Sequence, residues 1–500
     1  MKKFSLIAVS LAVLWFAGCA SHHKNAEIEN FQKDAGYRFA NAPADGNSDS
    51  LFVVLTFSGG GTRAAALSYG VLEYLRDTKI AWEGKRMRLL DEVDVISSVS
   101  GGSFTSAYYG LYGDGIFGDD KKGIESDFQK NFLNRNIESA LLGQVFSPAN
   151  FFRLALPTFD RVDMAGEYYD EHIFGGATFQ NLYDKKKRPF ILINATDMSL
   201  GARFEFTQEQ FDLICSDLLK FPVGRAVAAS SAFPVLLSPV TLKNYGRACG
   251  FQEPQWVSLA MKDTYRAPRR YLKALEARSY GDAQQRPFIH LLDGGLADNL
   301  GIRAPYYGLF LVNSGWDVLR MINEKKIKKI AFIVANAKTD PDTGFDGEEA
   351  APGFTKVLVA SATTPMDNYT FETVELLRET FKDLAKESGA SGKAGAPREE
   401  YCKIVNLSDD PNSPFYLQLC TVILSFDLLK DPREQRFFNN LGTNFNLGRE
   451  TVGCLRHAAG KLLTESPEFK EFLTDLNAER PALPYDQGAI DRCVNNSQSR

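Results

Sequence analysis

Histidine is scarce in this chain, with five in 500 residues, and there is no H-E-x-x-H motif. The six cysteines beyond residue 19 include no C-x-x-C pair, so zinc chemistry has no support. Basic charge is not in excess either. Fifty-seven lysines and arginines face 62 acids for a net charge of -5, which argues against the concentrated basic face of a nucleic-acid partner. The apolar stretch from Phe4 to Ala17 falls short of the ~20 residues a spanning helix needs. No Lys-Ser or Lys-Thr follows the glycine-rich stretch near residue 60, which removes a P-loop. There is no internal repeat. With 44% hydrophobic and 24% charged residues, the chain has the composition of a globular protein with a large core.

Two lysines, an apolar run and small residues in "MKKFSLIAVSLAVLWFAGCASHHKN" make residues 1–18 a signal peptide. The junction "FAGC" resembles the lipobox of bacterial lipoproteins, which makes Cys19 the expected site of lipid attachment. Export and membrane anchoring follow, and Ala20 after the cysteine resembles lipoproteins sent to the outer membrane of a Gram-negative bacterium. Loss of Lys2 and Lys3 with the leader takes the charge from -5 to -7. An oxidising compartment permits disulfides, but six cysteines allow 15 pairings and their spacing selects none.

Strand-length apolar runs at 51–57, 93–99, 189–194, 287–293 and 330–336 alternate with segments of helical period. This predicts an α/β fold with a largely parallel central sheet flanked by helices. The expected organisation is a tether over 19–50, a catalytic core over 51–340, a mostly helical part over 341–480 with helical insertions and a flexible loop near 387–400, and a tail over 481–500. Phe371, Val374, Leu377, Phe381 and Leu384 mark an amphipathic helix before that loop. "TDPDTGFDGEE" lacks the glutamate a calcium loop requires at its twelfth position and reads as a solvated loop. The aromatic stretch 145–163 reads as a core helix, with a lipid-facing cap as the functional alternative.

Three motifs carry chemistry, each at the end of an expected strand, where open α/β sheets place ligand-binding residues. In "SVSGGS" (98–103), Ser100 sits at a strand-turn-helix elbow, with Gly101 and Gly102 letting the helix pack close. In "LTFSGGGTRAAA", Gly59, Gly60, Gly61 and Thr62 bare backbone N–H groups at a helix N-terminus, a place for a phosphate or an oxyanion. In "FIHLLDGGLADNLG", Asp293 precedes Gly294 and Gly295, a favoured turn sequence. Together they make an oxyanion loop, a nucleophile and a carboxylate base, which is an acyl-transfer site. Gly59-x-Gly61-x-x-Ala64 also fits the loose dinucleotide fingerprint, but the next strand closes on Ser100 and not on an acid.

The order of glycine-rich loop with Arg63, S-x-S-x-G and D-G-G, with "AVAASSAFPVLLSPV" (226–240) between the last two, resembles the patatin-like phospholipase family. The resemblance is strong from about Leu51 to Ile302 and confined to helical segments from about Leu419 to Leu476. It implies a patatin-like fold and hydrolysis of phospholipids or lysophospholipids by a Ser100–Asp293 dyad. It also implies an oxyanion hole from the Gly59–Thr62 backbone, Arg63 as the basic position of that loop, and no cofactor, nucleotide or nucleic acid. Ser98 and Ala64 stand where that family has glycine.

A carboxylate with a pKa of about 3.9 is a poor base at neutral pH, so burial has to raise that of Asp293. The rival mechanism is a Ser-His-Asp triad in the order Ser100, Asp197 or Asp293, then His457. His457 falls largely off the apolar face of its helix, His172 precedes the required order, and His290 lies within a strand. A catalytically inactive lipid-binding or scaffold lipoprotein is the third reading.

Overall fold

Apolar runs without polar alternation need cover on both faces, and the central strands have it. Strands β1 (Leu51–Phe57), β2 (Lys79–Trp82), β3 (Lys85–Arg88), β4 (Val93–Val99), β5 (Phe190–Asp197), β6 (Ala202–Glu205), β7 (Val240–Lys243), β8 (Phe288–Asp293), β9 (Lys329–Asn336), β10 (Lys403–Asn406) and β11 (Tyr416–Ser425) form two sheets. All residues of β1, β4, β5 and β9 are buried. The computed structural model describes residues 24–498, apart from 44–45, 120–121, 148–149, 151–152, 155–158, 235, 311–317, 342, 348, 390–400, 409 and 411–414.

The main sheet runs β10-β11-β9-β1-β4-β5-β8-β7, with β6 paired to β5. Its middle five strands, β11 to β5, are parallel, whereas β10, β8 and β6 pair antiparallel with their neighbours. The five expected strands are all present. The helices that position the site are α1 (Gly61–Asp77), α2 (Gly101–Tyr112), α3 (Val223–Ser230) and α4 (Phe354–Ser388), and α5 (Arg449–Glu465) packs along α1. The last helix, α6, spans Gln487–Gln498.

Three parts of the expected organisation need correction. The described part of the 19–50 tether is docked, not free: Asn25 is buried and donates to Ser216 Oγ at 2.8 Å. Tyr37 stacks on Phe190 at 4.6 Å and its hydroxyl accepts from Ile191 N at 3.0 Å. Polar residues there hid a few aromatic anchors that hold the segment on the core. The part over 341–480 is not merely helical, because β11 pairs in parallel with β9 over eight residues and extends the sheet. Its run Leu417–Leu424 has the length of a buried strand, and periodicity alone does not separate that from a buried helix. The 481–500 tail contains α6, whose Ile490, Cys493 and Val494 are buried. On α4 the buried stripe is Thr370, Thr373, Leu377, Phe381 and Ala385, while Phe371 is exposed. Leader residues 1–18, Cys19 and most of the 387–400 loop lie outside the described residues.

The six cysteines pair as Cys215–Cys249, Cys402–Cys420 and Cys454–Cys493. The second joins the residue before β10 to β11, and the third ties α6 to α5. Because the last bridge closes a loop with a sequence separation of 39, replacing Cys454 and Cys493 by alanine is expected to lower the unfolding free energy by about 2–4 kcal/mol. Urea denaturation measures that loss, and hydrogen exchange should show residues 487–498 opening first.

Candidate active site

Ser100 follows the last residue of β4 and caps the N-terminus of α2 with φ 49° and ψ -121°, a conformation that L-residues adopt only when their surroundings impose it. Three contacts impose it. The Ser100 amide donates to Ser230 Oγ at 2.9 Å, and Ser103 N donates to Ser100 O at 2.9 Å. The glycines that follow allow an approach no side chain would permit: a Cβ on Gly101 would stand 2.0 Å from Gly61 O, and one on Gly102 2.7 Å from Phe57 Cβ. Ser98, where the family has glycine, is accommodated because its Oγ lies 2.5 Å from Ser106 Oγ and donates to Leu192 O at 3.2 Å.

Sheet register brings the second motif alongside. Val99 on β4 faces Asn194 on β5, and the next residue of β5, Ala195, faces Asp293 on β8. Ser100 and Asp293 therefore flank the same end of β5. Asp293 is buried, and its Oδ1 accepts from Gly295 N at 2.8 Å. Burial pushes its pKa up to about 6, opposed by the Gly295 amide and, more weakly, by the nearby Ser100 hydroxyl. The rise that a carboxylate base needs is present, and desolvation is its cause.

The glycine loop passes against the serine. A Cβ on Gly59 would stand 3.4 Å from Ser100 Cβ and 2.5 Å from Asn299 Oδ1. Of the four residues expected to offer amides, two are already committed: Gly59 N donates to Asn299 O at 3.0 Å and Thr62 N to Asn444 O at 2.9 Å. Among the described residues, nothing accepts from the amides of Gly60 (φ 137°) and Gly61 (φ 59°). The expected four-donor hole thus narrows to these two. Both are held in left-handed backbone that glycine adopts without strain.

Arg63 follows the loop directly. Its guanidinium is buried and turned into the protein, donating to Ala337 O at 2.9 Å, to Leu441 O, and to Thr443 Oγ1 at 2.9 Å. Burial lowers its pKa to about 10 while the charge of Asp367 opposes the shift, so it is cationic at neutral pH. It pins residues 441–444 to the loop. The Asn444 carbonyl occupies the space beside Gly61, where a Cβ would meet it at 2.3 Å. That surface of the second glycine is the one a dinucleotide would have to approach.

The residue sequence reasoning passed over is Ser230, at the end of α3. Its hydroxyl accepts from Ser100 N and lies 2.9 Å from Ser103 Oγ while donating to Asn194 O at 2.6 Å. Backbone groups of the same segment accept from the D-G-G turn, with Asp293 N bonded to Ala232 O and Gly294 N to Ser230 O. The quoted run 226–240 was the available signal, since it lay between the two motifs with no role. Gly294 is required because a Cβ there would stand 2.3 Å from Asn194 O, and Gly295 because one would meet Met366 Sδ and Asn299 Oδ1 at 2.9 Å.

The histidines of the described residues have partners elsewhere. His457 Nδ1 accepts from Asp486 N at 3.3 Å, His290 lies 3.0 Å from Thr241 Oγ1, and His172 stacks on Tyr168. Asp197, the other candidate acid, is buried on Tyr280 and Arg286. In the aromatic stretch 145–163, Phe151, Phe152 and Leu156 lie outside the described residues. Of the described residues, Phe159 is buried beneath Arg153 whereas Phe146 is exposed.

No curated protein matches the chain. Among solved structures, it is similar to human GIVD cytosolic phospholipase A2 at 15% identity, over 93% of this chain and 64% of that one, with a TM-score of 0.37. It is also similar to that human protein in complex with methyl gamma-linolenyl fluorophosphonate at 13% identity, over 90% and 60% of the two chains, with a TM-score of 0.33. VipD from Legionella pneumophila matches at 11% identity over 96% and 79%, with a TM-score of 0.23. The chain spans less than two thirds of the length of the human proteins it matches. The model of the patatin-like phospholipase family matches residues 55–306, half of the sequence and the whole of the Gly59, Ser100 and Asp293 motifs, and the chain belongs to that family.

Proposed function

We propose that this chain is a serine acyl-ester hydrolase that acts on phospholipids or lysophospholipids through Ser100 and Asp293. The observation that carries this reading is that sheet register sets Ser100 and the buried Asp293 carboxyl, its pKa raised to about 6, at the same end of β5. Membership of a phospholipase family supports it.

In this mechanism Ser100 Oγ attacks the ester carbonyl carbon as its proton passes to Asp293. The carbonyl oxygen becomes an oxyanion beside the Gly60 and Gly61 amides, which have no acceptor among the described residues and so are available to it. Asp293 returns the proton to the departing alkoxide, leaving an acyl group on Ser100. Water then attacks that acyl-enzyme with Asp293 again the base, releasing the fatty acid. A carboxylate near pKa 6 is matched to this double duty at neutral pH, being ionised at rest yet basic enough to accept the proton. We further propose that residues 1–18 direct export and that Cys19 carries the lipid anchor, which would hold the enzyme at the membrane that supplies its substrate.

Ser100→Ala and Asp293→Asn should each lower ester hydrolysis by at least about 10³-fold without unfolding the protein. His457→Ala should leave hydrolysis nearly intact, and a loss there would favour the triad. A fluorophosphonate probe should label Ser100 by mass spectrometry; a folded chain that stays unlabelled would favour the scaffold reading.

The rate should depend on a single deprotonation. Because the base is active when ionised, kcat/KM should fall as the pH drops through about 6, losing about tenfold per unit below it. The same shift has a stability consequence. Its folded pKa lies above the unfolded value, so Asp293 destabilises the fold increasingly as the pH rises from about 4 to 6. Asp293→Asn should therefore raise the melting temperature at pH 7, and a lowered one would mark the residue as structural.

For the anchor, Cys19→Ser should abolish incorporation of labelled palmitate and release the protein from the membrane fraction. Unchanged incorporation would refute it.

A further inference from the structure

Helix α4 carries apolar residues on two opposite sides. At about 100° per residue, the five buried positions Thr370, Thr373, Leu377, Phe381 and Ala385 form one stripe. It faces the sheet, with Phe381 against Phe332 at 6.1 Å between ring centroids. Phe354, Val357 and Leu358 share a face roughly 160° away from that stripe, and they are 82%, 49% and 39% exposed. No residue of α4 before Thr370 is buried. The first turns of this helix thus bury none of their large apolar residues, and Val359, on the side of the stripe, is 37% exposed as well.

The change of character coincides with Pro365, the one proline inside the helix. It has no N–H to donate to the carbonyl of Ser361, so the helix is weakened where packing ends. The adjacent residue ties this arm to the chemistry: Met366 Sδ lies against the Gly295 position of the D-G-G turn, and the charge of Asp367 reaches Arg63 under the glycine loop. The apolar arm therefore begins at residues set against the D-G-G turn and the glycine loop.

Charge indicates what it meets. Lys356 is the only basic residue from 350 to 364, whereas Asp340, Asp346 and Glu349 are exposed just before the helix. An anionic surface would be repelled, and the favourable term left is insertion of apolar side chains. We propose that residues 354–364 are an interfacial anchor that inserts Phe354, Val357 and Leu358 into a zwitterionic lipid surface and brings the Ser100 site down to it. This takes its purpose from the acyl-hydrolase reading above, but its measurement does not depend on turnover.

The test uses the chain from Ala20 onward, which keeps every described residue and omits the leader and Cys19. With Ser100→Ala as background, binding to phosphatidylcholine vesicles is measured by sedimentation, with and without phosphatidylserine. Phe354→Ser with Leu358→Ser should reduce partition at least about tenfold, and added salt or phosphatidylserine should not strengthen binding. In the Ser100 enzyme, the double substitution should leave hydrolysis of a soluble short-chain ester within about twofold while slowing turnover of vesicle lipid. Equal binding by parent and variant, or binding that requires phosphatidylserine, would overturn the proposal. So would conversion of a dimer to a monomer with vesicle binding unchanged, which would place a second copy on this face. If the parent binds vesicles through the arm yet hydrolyses no ester, the anchor stands and the acyl-hydrolase reading falls.

Discussion

The constraint on which the rest of the site turns is a carboxylate kept out of water. Asp293 has no cationic partner among its described contacts, only the Gly295 amide and the Ser100 hydroxyl, so its charge is costly and its pKa rises. A cationic partner would oppose that rise by favouring the carboxylate. Asp197 on the adjoining strand is instead buried against Arg286 and the hydroxyl of Tyr280.

Holding a desolvated carboxylate beside a strained serine requires rigid neighbours, and these come from backbone contact more than from side chains. Gly101 lies against Gly61, Gly294 against Asn194, and Gly59 against Ser100 and Asn299. In each case a Cβ would push apart two motifs that must touch. Ser230 fastens the elbow to the D-G-G turn with one hydroxyl and one carbonyl. The stretch it belongs to is thus a brace between nucleophile and base.

The far end of the chain closes the remaining side. Residues 441–444 lie well beyond the family match at 55–306, yet Asn444 and the Arg63 contacts to Leu441 and Thr443 fix the glycine loop from outside. β11 adds a parallel strand to the same sheet, and Cys402–Cys420 and Cys454–Cys493 lock the elements that deliver this segment. The C-terminal part is a structural component of the site and not an appendage.

The sequence by itself determined the parallel α/β core and the residues that meet in the site. Strands buried on both faces leave unbroken apolar runs, and backbone crowding at an elbow leaves glycines, so Ser100, Asp293 and the Gly59–Gly61 loop were legible as strand-end motifs. Local pattern carries those signals because each arises within a few residues. What only the tertiary structure decided depends on partners distant in the chain. The amides of Gly59 and Thr62 are spent because Asn299 and Asn444 reach them, Arg63 turns inward because residues 441–443 accept its donors, and β11 is a strand because β9 offers it an edge. The polar-looking segment 24–43 docks through Tyr37 and Phe39, and the pKa of Asp293 is set by how completely water is excluded. Each of these rests on contact across tens or hundreds of residues, and neither spacing nor composition records such contact.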